Sequence, residues 1–160
     1  MGALKDFTLK DIDGAPLPLS RYEGKVVLLV NVASKCGLTP QYEGLEALWR
    51  EGREMGLVVV GLPCNQFGAQ EPGTSKQIKE FCSLSYDVSF PITEKLEVNG
   101  PGRHPLYQWL AGPSSKFPGD IRWNFEKFLI GRDGQVSERF APDTAPHDAG
   151  LKSAIAKALG

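Results

Sequence analysis

Val26-Val27-Leu28-Leu29-Val30-Asn31-Val32, running into Ala33-Ser34-Lys35-Cys36-Gly37-Leu38-Thr39-Pro40, decides the fold. Apart from Asn31 the first seven residues are valine or leucine, apolar on both faces, as a central buried strand requires. Pro40 is suited to the first position of a helix. Tyr42, Leu45, Leu48 and Trp49 then recur at helical spacing, with an end expected near Gly56. Leu57 to Leu62 is a second fully apolar strand.

Outward from this strand–helix–strand core the chain keeps alternating. Phe7-Thr8-Leu9-Lys10 alternates apolar and polar, and Asp13-Gly14 supplies a hairpin turn. Thr74, with Gln77 three residues on, forms a capping box for a helix that carries Ile78, Phe81 and Cys82 on its apolar face. Pro105 to Leu110 reads as a shorter helix. Phe128 to Ile130 and Val136 to Phe140 flank Asp133-Gly134 as a second hairpin, and Pro146 is expected to start a last helix with Leu151, Ile155 and Leu159 inward. The simplest assembly is one α/β domain spanning residues 1–160, a mixed sheet with parallel central strands, a closing hairpin and helices on both faces.

Composition narrows the function classes. The 160 residues are 41% hydrophobic and 23% charged, as in soluble globular proteins. Lysine and arginine number 18 against 19 acids, so neither nucleic acid nor a strongly charged partner is indicated. The first eleven residues lack the apolar core of a signal peptide, and the run Val26 to Val30 is too short to span a bilayer. A cytoplasmic protein without membrane insertion is expected. Three widely spaced cysteines, Cys36, Cys64 and Cys82, do not suit a secreted disulfide scaffold. Neither a close C-x-x-C pair nor more histidine than His104 and His147 is present for zinc, so no metal or other cofactor is expected.

Reactive groups in open α/β sheets gather where strands end and helices begin, which singles out three segments. Cys36 lies between the end of a strand and the start of a helix. Unpaired backbone N–H groups and the helix dipole there favour a reactive thiolate, and Lys35 adds a nearby positive charge. Read alone, the segment also suits an inert loop cysteine. The second, Leu62-Pro63-Cys64-Asn65-Gln66-Phe67-Gly68-Ala69-Gln70-Glu71-Pro72-Gly73, mixes amides with glycine and proline. Gln70 is able to hydrogen-bond a thiolate or a peroxide oxygen without titrating. By itself it is an ordinary surface loop. The third, Trp123-Asn124-Phe125-Glu126-Lys127-Phe128, sets an indole N–H beside an amide, and alone reads as core plus turn.

Together, Asn31 to Leu38, Leu62 to Gly73 and Trp123 to Leu129 resemble the glutathione peroxidase family, in its cysteine-containing, thioredoxin-dependent branch. The resemblance implies a thioredoxin-like fold with an N-terminal hairpin. It places Cys36 at the peroxidatic position and matches Gln70, Trp123 and Asn124 to the rest of the family's catalytic tetrad. Cys82 matches the resolving cysteine, with a Cys36–Cys82 disulfide and thioredoxin as the expected reductant; glutathione is the alternative. The expected substrates are hydrogen peroxide and organic or lipid hydroperoxides. The stretch Gly112 to Ile121 is shorter than the insertion of tetrameric relatives, so a monomer is expected. Disulfide exchange without peroxide, and a sensor passing oxidation to a partner, remain competing readings, and Cys64 has no assigned role.

Overall fold

Strands that are almost wholly apolar must be covered on both sides, and Val26–Val32 and Leu57–Pro63 are buried at every position. The computed structural model describes residues 2–160. In chain order a hairpin of β1 (Thr8–Lys10) and β2 (Pro16–Pro18) precedes β3 (Val26–Val32), α1 (Gln41–Gly52) and β4 (Leu57–Pro63). There follow α2 (Ser75–Tyr86), α3 (Pro105–Ala111), β5 (Lys127–Ile130), β6 (Val136–Phe140) and α4 (Ala149–Leu159). The main sheet runs β4-β3-β5-β6, with β3 parallel to β4 and antiparallel to β5. Because β5 runs backwards, its start lies beside the ends of β3 and β4: Val30 pairs with Lys127, and Val32 with Pro63.

Alternation along each strand divides the interior in two. Val27, Leu29, Val58, Val60 and Leu62 face α3 and the β1–β2 hairpin, in a cluster that also holds Cys64 and Tyr107. Val26, Leu28, Val30, Val32 and Val59 face α1, α2 and α4, in a cluster that holds Cys36, Cys82 and Tyr42. At about 25 cal/mol per Å² of apolar surface removed from water, such two-sided burial is the main term stabilising the sheet.

Most expected elements form where the sequence places them, including the Thr74–Gln77 capping box. Pro40 stands at the N-cap of α1, one residue ahead of the expected position. That helix stops at Gly52, and a 3₁₀ turn, Arg53–Met55, carries the chain to Gly56, whose φ of 103° ends it. The last helix departs from expectation: it starts at Ala149, not Pro146. Asp148 is the better cap, its carboxylate accepting the Leu151 N–H at 3.0 Å. Pro146 packs on α1 instead, so close that a Cβ on Gly44 would lie 2.8 Å from its ring.

Candidate active site

The three segments meet at the shared end of β3, β4 and β5. After β3 the chain winds through consecutive turns from Ser34 into α1, and Cys36 sits inside them with 9% of its surface exposed. The Leu38 N–H points at its Sγ, 3.3 Å away. Thr39 holds the turn. Its Oγ1 accepts the Cys36 N–H at 2.9 Å and donates to the Ala33 carbonyl at 2.8 Å. Thr39 stands where a C-x-x-C protein would carry its second cysteine, so this site has a fixed hydroxyl in place of a second thiol.

Gln70 is tied to the same turn through its backbone, its carbonyl accepting the Lys35 N–H at 3.0 Å. Asn124, fully buried, donates Nδ2 to Gln70 Oε1 at 3.0 Å. Asn31, the one polar residue of β3, donates Nδ2 to the Trp123 carbonyl at 3.0 Å and accepts the Phe125 N–H on its own carbonyl at 2.6 Å. Hydrogen bonds thus link the segments bearing Cys36, Gln70, Trp123 and Asn124 into one assembly. Trp123 is 38% exposed, and its ring lies against Phe67, with 5.6 Å between ring centroids. Gly68, at φ 67°, passes beneath it, and a Cβ there would meet the indole at 3.4 Å.

Glu71 carries no role in the sequence reading, yet it is fully buried at the centre of this region. Its Oε1 accepts the Ser34 N–H at 3.1 Å, while Oε2 is buried with no hydrogen-bond partner among the described residues. Burial raises the carboxyl above the ordinary carboxylate range, against the Ser34 hydrogen bonds and the Lys95 charge. The signal was available: a carboxylate between Gln70 and Pro72, in a loop otherwise of amides and apolar residues. Lys35 is exposed, on the rim of a groove of about 610 Å³ that runs between the Cys36 turn and α2, walled by Pro72, Ile78, Phe81 and Leu84.

All three cysteines are free and buried. Cys82 lies in α2, in the same apolar cluster as Cys36. Burial, reinforced by the Glu71 charge and opposed by the Tyr42 hydroxyl facing it, pushes its thiol up to about 11. Among the described residues, none forms a hydrogen bond with the Tyr42 hydroxyl. Cys64 is on the other side of the sheet, its thiol donating to Gln66 Oε1 at 3.5 Å.

Comparison with known proteins agrees with this geometry. Residues 4–111 match the family model for glutathione peroxidase. The chain belongs to the glutathione peroxidase family. It is 60% identical over 153 residues to a hydroperoxy fatty acid reductase of Synechocystis, spanning 96% of this chain and 97% of that protein. It is 47% identical to the thioredoxin/glutathione peroxidase BtuE of Escherichia coli, across 94% of each chain. The crystal structure of Trgpx in its apo form superposes with a TM-score of 0.79 at 40% identity, covering 99% of this chain and 95% of that one. A thioredoxin-family thiol:disulfide interchange protein of Chlorobium tepidum shares the fold at 17% identity, with a TM-score of 0.71 over 96% of this chain and 93% of that one. The fold is therefore thioredoxin-like, and this family member is a thiol peroxidase that reduces hydroperoxides.

Proposed function

We propose that Cys36 is the peroxidatic thiol, that Gln70, Trp123 and Asn124 stabilise its reaction, and that Cys82 resolves the oxidised enzyme for reduction by thioredoxin. The Gln70–Asn124 amide pair, tied by backbone to the Cys36 turn, carries this reading. The Cys36 thiolate attacks one peroxide oxygen, the O–O bond breaks, and the leaving oxygen departs with a proton as water or an alcohol. Cys36 is left as a sulfenic acid. Charge moves from sulfur to the leaving oxygen during the step, and fixed N–H donors follow it without reorganising. With Gln70 Oε1 engaged by Asn124, the donor end of the Gln70 amide and the Trp123 indole N–H are the groups available to a peroxide.

Cys82 then attacks the sulfenic sulfur, forming the Cys36–Cys82 disulfide and releasing water, and the two thiols of thioredoxin reduce it by exchange. The helix bearing Cys82 is thinly anchored, with only Ile78 and Cys82 buried among its twelve residues. Its local opening is the expected route by which the two sulfurs come within bonding reach. The name of the Synechocystis relative, a hydroperoxy fatty acid reductase, supports lipid hydroperoxides as substrates beside hydrogen peroxide. The short stretch Gly112 to Ile121 supports a one-domain monomer, and a cytoplasmic, reducing setting suits three free thiols. The deciding experiment measures steady-state peroxide reduction with thioredoxin and its reductase beside glutathione and its reductase. Turnover with thioredoxin, lost in Cys82→Ser, is expected. Efficient turnover with glutathione that ignores Cys82 would refute the two-cysteine cycle.

A further inference from the structure

Lys127 is a fully buried lysine at the start of β5, three residues after Asn124. Its ammonium donates to two backbone carbonyls, Phe125 at 2.6 Å and Pro142 at 3.2 Å. The opposite charges that act on it are those of Asp143 and Glu126, and Glu126 is itself occupied by Arg122 and Arg139. Burying a charge on carbonyls alone is costly, and an apolar side chain of similar volume would serve a core position better. The carbonyls it holds indicate what the charge is for.

Phe125 follows Asn124 directly and is left-handed, with φ 69°. For a residue with a side chain that conformation costs about 1–2 kcal/mol and must be imposed from outside. Two contacts impose it: the Asn31 carbonyl takes the Phe125 N–H, and the Lys127 ammonium takes its carbonyl. Pro142 extends the link, because its carbonyl also accepts Nε2 of Gln41 at 2.8 Å. Gln41 is the first residue of α1, just beyond the Cys36 turn. One ammonium thus joins the backbone behind Trp123–Asn124 to the helix behind Cys36.

We propose that Lys127 is a positioning residue for peroxide reduction, its ammonium locking the backbone turn that aims Asn124 and Trp123 at the Cys36 segment. This rests on Cys36 being the peroxidatic thiol. A charged donor holds a carbonyl about twice as strongly as a neutral one, so losing the proton loosens the lock. Burial pushes the ammonium down to about 8, against the opposing pull of Asp143 and Glu126. Gln41, on the α1 side, is neutral. The Lys127 contribution is read as a fall in rate on the alkaline side.

The test is single-turnover peroxide consumption by the reduced full chain, followed from neutral to alkaline pH in the wild type, Lys127→Met and Lys127→Arg, with folding checked by thermal melting. The wild-type rate constant is expected to fall as pH rises through about 8. Lys127→Met is expected to melt cooperatively yet react about 10- to 100-fold more slowly at neutral pH, with no alkaline fall, as for a slightly misplaced catalytic group. Lys127→Arg, which keeps its charge, is expected to restore most of the rate and likewise lack the fall. A folded Lys127→Met with wild-type rate, or a wild-type profile with no alkaline fall, overturns the proposal. So does a fall that persists in Lys127→Arg. If Lys127→Met does not fold, the wild-type and arginine profiles decide. Cys36→Ser run alongside separates the two readings, since activity surviving there refutes the peroxidatic assignment itself.

Discussion

Each side of the sheet buries a cysteine near a tyrosine, and the two pairs are held differently. On one side Cys64 follows β4 directly; its N–H donates to the Val32 carbonyl at 3.1 Å, and Gln66 takes its thiol proton. Gln66 is in turn fixed by the Val98 and Asn99 N–H groups. On the other side Cys82 sits in a helix whose outer face is solvent, with Leu84 86% exposed. Both thiols are raised by burial, and both tyrosine hydroxyls, Tyr107 and Tyr42, are buried with no hydrogen-bond partner among the described residues. The direction of that shift therefore does not distinguish Cys64 from Cys82. Anchoring does: moving Cys64 breaks its hydrogen bonds to Val32 and Gln66, whereas moving Cys82 means opening one thinly anchored helix on the side where Cys36 lies.

The sharpest way to break this contrast is to remove each thiol. Cys36→Ser should abolish peroxide turnover, read with any reductant. Cys82→Ser should consume one equivalent of peroxide and then stall with thioredoxin, whereas Cys64→Ala should keep turning over and lose only about 1 kcal/mol of stability in a denaturant titration. A Cys64→Ala enzyme that stalls would erase the distinction between the sides. Next in size, Gln70→Ala, which removes a donor, or Asn124→Ala, which releases the Gln70 amide it holds, should slow the first step about 10- to 1,000-fold. Stopped-flow rates unchanged by either would remove that residue from the site.

The pH dependence of stability gives a smaller, signed effect. The Cys82 thiol keeps its proton up to about 11, whereas in the unfolded chain it ionises near 9.0. Between those values the unfolded state binds fewer protons, so stability should fall as pH rises through that window. Urea melts of the reduced protein should show this fall diminished in Cys82→Ser. Smallest of all, Tyr42→Phe and Tyr107→Phe each delete a buried hydroxyl without a partner and should be neutral or stabilising by up to about 1 kcal/mol. A marked loss in Tyr42→Phe alone would show that its hydroxyl supports Cys82 after all.

Local chemistry made much of this legible in the residues. The apolar run Val26 to Val32, the Thr74 capping box and the two hairpin turns each carry their own cause within a few positions, so they formed as read. Cys64 continues the even-numbered alternation of Val58, Val60 and Leu62, which already assigns it to their side of the sheet. Pro146 misled because its packing on Gly44 is a contact between residues a hundred positions apart, and no local pattern announces that.

Most strands and helices follow from turn, cap and periodicity signals carried by neighbouring residues, whereas Cys36, Gln70, Trp123, Asn124 and Cys82 were singled out by the resemblance of their segments to one family. That β5 runs against β3, which brings Trp123 and Asn124 to the end of the sheet where Cys36 and Gln70 lie, follows from the packed fold alone. It alone set Cys82 and Cys36 on one side and Cys64 on the other, and revealed the buried Thr39, Glu71 and Lys127 behind the site. Those placements depend on which surfaces pack together and which buried polar groups find partners, and that balance is struck over the whole fold.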